Sequence, residues 1–359
     1  MTMETRALGR TGLEVGVVGL GTEHLITTRE NMDAVLDLAV PAGVNYIDVV
    51  YNDPLDAHVD YWQAIGPALR RHRQRLVLCL HWGFVYHEPV DRCQRCFDQA
   101  LNRLGDGHAE IAMLTMVDSE SLWHNWARQG IERLDRHRRD GRIGFIGLSS
   151  HNVGVARVAV QSDLIDMLMF PVNLYQHPED PARATLLESC AEHRVGVVAM
   201  KPFYGGRLLT AVGRPTGITP AQCLHYVLSQ PVATAVPGAR NIDELRQALQ
   251  YVDAPLEEKQ STPLHEELSD WLRGQCVGCK HCLPCPQYIP IPDVVLCTDY
   301  LEFYSGSRAS QQLNREFYAS LPAKGSDCIE CEVCLERCPF EVDIIGKMRR
   351  AVEIFEATA

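Results

Sequence analysis

Eight short apolar runs alternating with amphipathic stretches, then two cysteine-dense motifs, predict an α/β chain that begins with a (β/α)8 TIM barrel. At 359 residues the chain exceeds what one hydrophobic core usually serves, so a second domain is expected. The alternation sets the boundary: residues 1–255 read as the barrel, and 256–359 as a linker plus a small, mostly helical ferredoxin-like iron–sulfur domain.

The runs span residues 15–21, 44–50, 75–83, 110–118, 142–151, 165–173, 194–203 and 232–239. Each is nearly continuously hydrophobic and rich in β-branched residues, as suits a strand buried on both faces. Helical periodicity fills the intervals, as in residues 29–40, stopped by Pro41 and Gly43, and residues 88–105, ending at Gly105. Eight such units match a closed barrel better than an open doubly wound sheet. The polar stretch 252–274, with Pro255 and Pro263, reads as the linker, and the apolar spacing beyond it is helical.

Composition is that of a globular protein, 46% hydrophobic and 22% charged. With 34 basic against 46 acidic residues the net charge is -12, which argues against nucleic acid or an anionic membrane as partner. No apolar run reaches membrane-spanning length and none reads as an export signal, so a cytoplasmic protein is expected.

Nine of the 14 cysteines lie between Cys276 and Cys338. The first motif places Cys276, Cys279, Cys282 and Cys285 two residues apart, and the second holds Cys328, Cys331, Cys334 and Cys338; both end in Cys-Pro. Such spacing lets three thiolates of one loop reach one cubane while the fourth ligates the neighbouring cluster. Two [4Fe-4S] clusters are therefore expected, one on Cys276, Cys279, Cys282 and Cys338, the other on Cys328, Cys331, Cys334 and Cys285. The first motif departs from the usual pattern in having two residues, not three, before its fourth cysteine. Zinc knots are the alternative that C-x2-C pairs allow, and a purely structural staple is the alternative to electron transfer. Cys93 and Cys96, a lone C-x2-C pair within a helical stretch, read as ordinary thiols.

Catalytic groups of such a barrel sit at the C-terminal ends of its strands. Those ends carry Asp48, His81, Thr115, Asp118, Ser149 to Asn152, Lys201 and Gly238 to Asn241. A carboxylate inside an apolar run needs a partner, which singles out Asp48. His81 could pair with it as acid and base. Lys201 reads as a catalytic cation, a rim charge or an anchor for a substrate carboxylate, and Thr115 as structural.

The stretches LGRTGLEV, GLGT, AGVNYIDVV, GRIGFIGLSSHN, VGVVAMKPFYGGRLL and ITPAQCLHYVLSQPVATAVPGARNIDEL together resemble the aldo-keto reductase family over essentially the whole barrel. With the cysteine motifs, the chain is similar to the subgroup bearing a C-terminal 4Fe-4S ferredoxin-type domain. The resemblance implies reduction of small carbonyl compounds with NAD(P)H, or oxidation of hydroxyls with the oxidised nucleotide. It also implies a tetrad of Asp, Tyr, Lys and His in which the lysine lowers the pKa of an acidic tyrosine. Asp48 matches the aspartate, but His81 stands at the lysine position and Thr115 at the histidine position. Tyr51, His58 and Tyr61 compete for the tyrosine position, with Tyr51 taken as the catalytic candidate. The nucleotide positions implied are Ser149, Asn173, Gly238, Arg240 and Glu244, while Met200 replaces a stacking aromatic and Ala248 an asparagine. The expected partners are a small-molecule substrate and a redox partner protein. The rival reading is a non-catalytic electron carrier or scaffold built on a degenerate barrel.

Overall fold

The structure is a computed structural model that describes residues 2–50, 58–83, 89–175, 181–211, 214–215, 217–260, 273–276, 282–303, 308–338 and 340–357. By packing, the chain divides into two units, Met1–Gly205 with Thr219–Ser261, and Gly206–Ile218 with Thr262–Ala359.

In the first unit eight parallel strands follow one another in chain order: β1 (Leu20–Gly21), β2 (Tyr46–Val49), β3 (Val77–Trp82), β4 (Ala109–Leu114), β5 (Ile143–Ser149), β6 (Met167–Pro171), β7 (Gly196–Met200) and β8 (Thr234–Val236). Parallel bridges from Val18 to Ala235 and from Gly21 to Gly238 join first strand to last, closing the predicted barrel. The helices between and after them are α1 (Arg29–Ala39), α2 (His58–His72), α3 (Val90–Arg103), α4 (Arg128–Arg139), α5 (Val153–Gln161), α6 (Pro181–Glu192), α7 (Pro220–Leu228) and α8 (Ile242–Asp253). Local chemistry fixes several helix starts. Asn152 caps α5 by accepting from the Val155 N–H, Thr219 and Gln222 form a capping box on α7, and Asn241 accepts from the Asp243 and Glu244 N–H groups of α8.

Strand alternation sorts the core into two layers. Tyr46, Cys79, Met113, Met167, Met169, Val198 and Val236 fill the lumen, while Ile47, Leu78, Leu80, Ala112 and Leu168 pack outward against the helices. An antiparallel hairpin of Thr5–Ala7 with Glu14–Gly16 contributes Leu8 and Val15 to the lumen cluster. Its Gly9, at φ +55°, lies so close to β7 that a Cβ there would fall 2.2 Å from the Gly196 nitrogen. The hairpin plugs the N-terminal end, leaving the C-terminal mouth for chemistry.

In the second unit the described residues between 273 and 357 form helices and turns, chiefly α9 (Ile291–Phe303), α10 (Arg308–Ser320) and α11 (Ile344–Ala351). Val294, Val295, Tyr318, Met348 and Ala351 are buried there. Arg207, from the 206–218 segment, donates through Nη1 to the Cys276 carbonyl at 2.7 Å. Among the described residues no helix is long and apolar enough to cross a membrane.

Candidate active site and cysteine pocket

Strand register brings three inward side chains together at the mouth. Asp48 pairs with Cys79 across β2 and β3, His81 pairs with Met113 across β3 and β4, and Thr115 follows two residues after Met113 on the same face. All three are buried. His81 Nε2 lies 3.0 Å from Asp48 Oδ1, and Thr115 Oγ1 lies 3.1 Å from His81 Nδ1. A carboxylate only accepts, so Nε2 carries a proton toward Asp48, and the Nδ1 of a neutral imidazole then accepts from the threonine hydroxyl. Beneath this chain, burial and nearby negative charge, Asp48's included, push the Tyr46 phenol and the Cys79 thiol well above their ordinary values. Both remain protonated bystanders.

Of the tyrosine candidates, Tyr51 lies outside the described residues, as does the side chain of His58. Tyr61 serves the backbone instead. Its phenol donates to Thr22 Oγ1 at 2.9 Å, and Thr22 in turn donates to the Asp48 carbonyl at 2.9 Å and accepts from the Val50 N–H at 3.0 Å. Burial pushes the Tyr61 phenol up, which suits a fixed donor rather than an exchanging acid.

A second chain spans β4, β5 and β7. Lys201 Nζ lies 2.9 Å from His151 Nε2, and His151 Nδ1 lies 3.0 Å from Asp118 Oδ2. The His151 N–H also donates to Asp118 Oδ1 at 2.6 Å. An ammonium only donates, so Nε2 is the acceptor and the ring proton sits on Nδ1. Burial lowers the His151 pKa and the Lys201 charge lowers it further, against the pull of Asp118 and Glu23. Crowding by the protein lowers that of Lys201 too, with Glu23 and Asp118 opposing. Burial would raise Asp118, but contacts with His151 and Ser150 hold it below the usual carboxylate range. In the sequence Lys201 stands out, while Asp118 and His151 read only as strand-end polar residues; their shared position past neighbouring strands is the available signal. Thr115, which the sequence reads as structural, has its hydroxyl on His81.

The nucleotide candidates fall into two groups. Ser149 and Asn173, at the ends of β5 and β6, are buried; Ser149 Oγ accepts from the Met116 N–H at 2.8 Å and Asn173 Oδ1 from the Tyr175 N–H at 3.2 Å. Gly238 and Arg240 lie between β8 and α8, and Glu244 in the first turn of α8 accepts from the Arg240 N–H and from its Nε, each at 2.7 Å. Burial raises the Glu244 pKa, but Arg240 more than offsets this and holds it below the ordinary value.

In the second unit a shallow pocket is rimmed by Cys282, Cys285, Cys328, Cys331 and Cys334, with Ile289, Ile344 and Met348 supplying apolar wall. Burial, then the nearness of Cys328, Cys331 and Cys285, pushes the Cys334 thiol up. Cys276 and Cys338 are half-buried and do not line this pocket, and Cys279 lies outside the described residues. Among the described residues no three His, Cys, Asp or Glu side chains converge as one metal ion would require.

A sequence profile described as the aldo/keto reductase family matches residues 13–221. The chain is 24% identical over 299 residues to YqkF, an uncharacterized oxidoreductase of Bacillus subtilis (strain 168), covering 70% of this chain and 92% of that protein. To the L-galactose dehydrogenase of Arabidopsis thaliana it is 25% identical over 268 residues, 69% of this chain and 80% of the relative. A solved aldo-keto reductase from Bacillus halodurans, in its holo form, matches with a TM-score of 0.60 at 23% identity, over 73% of this chain and 96% of that one, which shows the fold. The family match ends before the cysteine motifs begin.

Proposed function

We propose that this chain, which belongs to the aldo/keto reductase family and is an oxidoreductase, moves hydride between NAD(P)H and a small carbonyl or hydroxyl substrate at the barrel mouth. The observation that carries the reading is the unbroken Asp48–His81–Thr115 chain. Reducing a carbonyl requires a proton on its oxygen as hydride arrives at its carbon. With His81 protonated, Nδ1–H turns toward Thr115, whose own hydroxyl proton passes to the substrate oxygen and is replaced from Nδ1. Asp48 stabilises the imidazolium meanwhile, the part a carboxylate plays in other Asp-His-hydroxyl arrays. His81 and Thr115 thus do, from the lysine and histidine positions, what tyrosine and lysine do in the usual tetrad. Oxidation of a hydroxyl runs the same path backward.

Nicotinamide, when bound, supplies the hydride. Ser149 and Asn173 would face its ring end, and Gly238, Arg240 and Glu244 its adenine end, with the α8 N-terminus suited to phosphate.

The cysteines, in this reading, would hold two [4Fe-4S] clusters, which would supply one-electron exchange with a redox partner protein, separate from the hydride exchanged at the barrel mouth. Support comes from the donor set: Cys282 and Cys285 of the first motif rim the same pocket as Cys328, Cys331 and Cys334 of the second, which brings the two motifs together as crossed ligation requires. Cys276, Cys279, Cys282 and Cys338 would hold the other cluster. The rival reading, a carrier on a degenerate barrel, draws on the altered tetrad. Nucleotide oxidation by the iron-loaded full chain with a panel of small aldehydes and ketones separates the two. Substrate-dependent consumption of NAD(P)H is expected, and a protein that neither binds nor consumes it is the carrier.

A further inference from the structure

Lys201 is a cation at a strand end whose contact partner is an imidazole rather than a carboxylate. Arg240, by contrast, is ion-paired with Glu244 at 2.6 Å. Asp118 holds His151 by two bonds, at 2.6 and 3.0 Å, which fixes the direction of the Nε2 lone pair and strengthens it as an acceptor. One ammonium proton goes to His151, and the remaining two donors keep their charge for a ligand. The other charged groups facing this pair are Glu23 and Asp118, and neither forms an ion pair with Lys201 among the described residues. Lys201 sits just past β7 at φ +55°, a left-handed backbone that costs a non-glycine residue energy and gathers at ligand sites. In a chain of net charge -12, an anionic ligand needs such a local cation to approach.

We propose that Lys201 docks a carboxylate carried by the substrate, with His151 and Asp118 as its positioning residues, so that the enzyme acts on small carboxylate-bearing carbonyl or hydroxy compounds. The proposal rests on the reading of the mouth as a carbonyl-reducing site. It adds the substrate class.

The test compares a small 2-oxo acid with its methyl ester as substrates of the iron-loaded full chain, in the natural sequence, Lys201→Met, Lys201→Arg and His151→Phe. The natural protein should prefer the acid. In Lys201→Met the ratio of the acid's KM to the ester's should rise about 10- to 100-fold, the factor that a lost hydrogen bond to a charged group carries. Lys201→Arg should recover part of the preference, and His151→Phe should shift the same ratio in the same direction by less. A ratio that stays put in Lys201→Met overturns the proposal, and so does a rise in the NAD(P)H dissociation constant with the preference intact, which would give the lysine to a nucleotide phosphate. Turnover of uncharged carbonyls with no preference for acids sinks the carboxylate site alone; absence of turnover with any carbonyl sinks the underlying reading as well.

Discussion

A threonine hydroxyl that donates to a histidine nitrogen can pass a proton outward only after the histidine has gained one, so Thr115 and His81 must act as a unit. Thr115→Val keeps the shape and removes the proton path; turnover should fall by about 10²–10⁴, the usual worth of a positioned acid, while Thr115→Ser retains most of it. Steady-state kinetics on the two variants checks this, and equal losses would make Thr115 a packing residue. At the second chain, the His151 pKa in the folded protein lies below its ordinary value. A group so shifted binds protons more readily when unfolded, so its contribution is complete above the ordinary value of about 6.5 and is lost as pH falls through the lowered folded value. Denaturant unfolding at pH 7.5 and 5 should therefore show a smaller acid-side loss in His151→Gln than in the natural sequence.

The eight strands were legible because each is buried on both faces and so reads as a continuous apolar run, bounded by capping residues and left-handed glycines such as Gly43 and Gly105. Asp48 and His81 were legible as polar interruptions of such runs. The bond from His81 to Thr115 was not, because it depends on the stagger of β3 against β4, and a threonine past a strand end carries no signal of what it touches. Packing of the 206–218 segment with the cysteine-rich unit, through Arg207 and the Cys276 carbonyl, is likewise a long-range fact that composition along the chain does not carry. The plug illustrates how close approach fixes an element. Gly9→Ala would drive a methyl into the Gly196 backbone while straining a positive φ, and should destabilise the barrel by about 1–3 kcal/mol in denaturant midpoints measured at fixed slope.

For the whole molecule, crossed ligation makes one cysteine count in an unexpected place. Cys285, like Cys282, belongs by sequence to the first motif and lines the pocket of the second, and crossed ligation assigns Cys285 to the second motif's cluster. Cys285→Ala should therefore damage the cluster of Cys328, Cys331 and Cys334 and spare its neighbour, so that iron and sulfide per chain fall by about half; loss of the first motif's cluster instead would refute the crossing. The most direct test of the central claim, that the barrel does redox chemistry through His81, is turnover of His81→Gln against the natural protein on the same carbonyl substrate, with iron content measured alongside. Activity lower by at least about 10² at unchanged iron content is the predicted result. Unchanged turnover would contradict it, and the Asp48–His81–Thr115 chain would then be architecture rather than machinery.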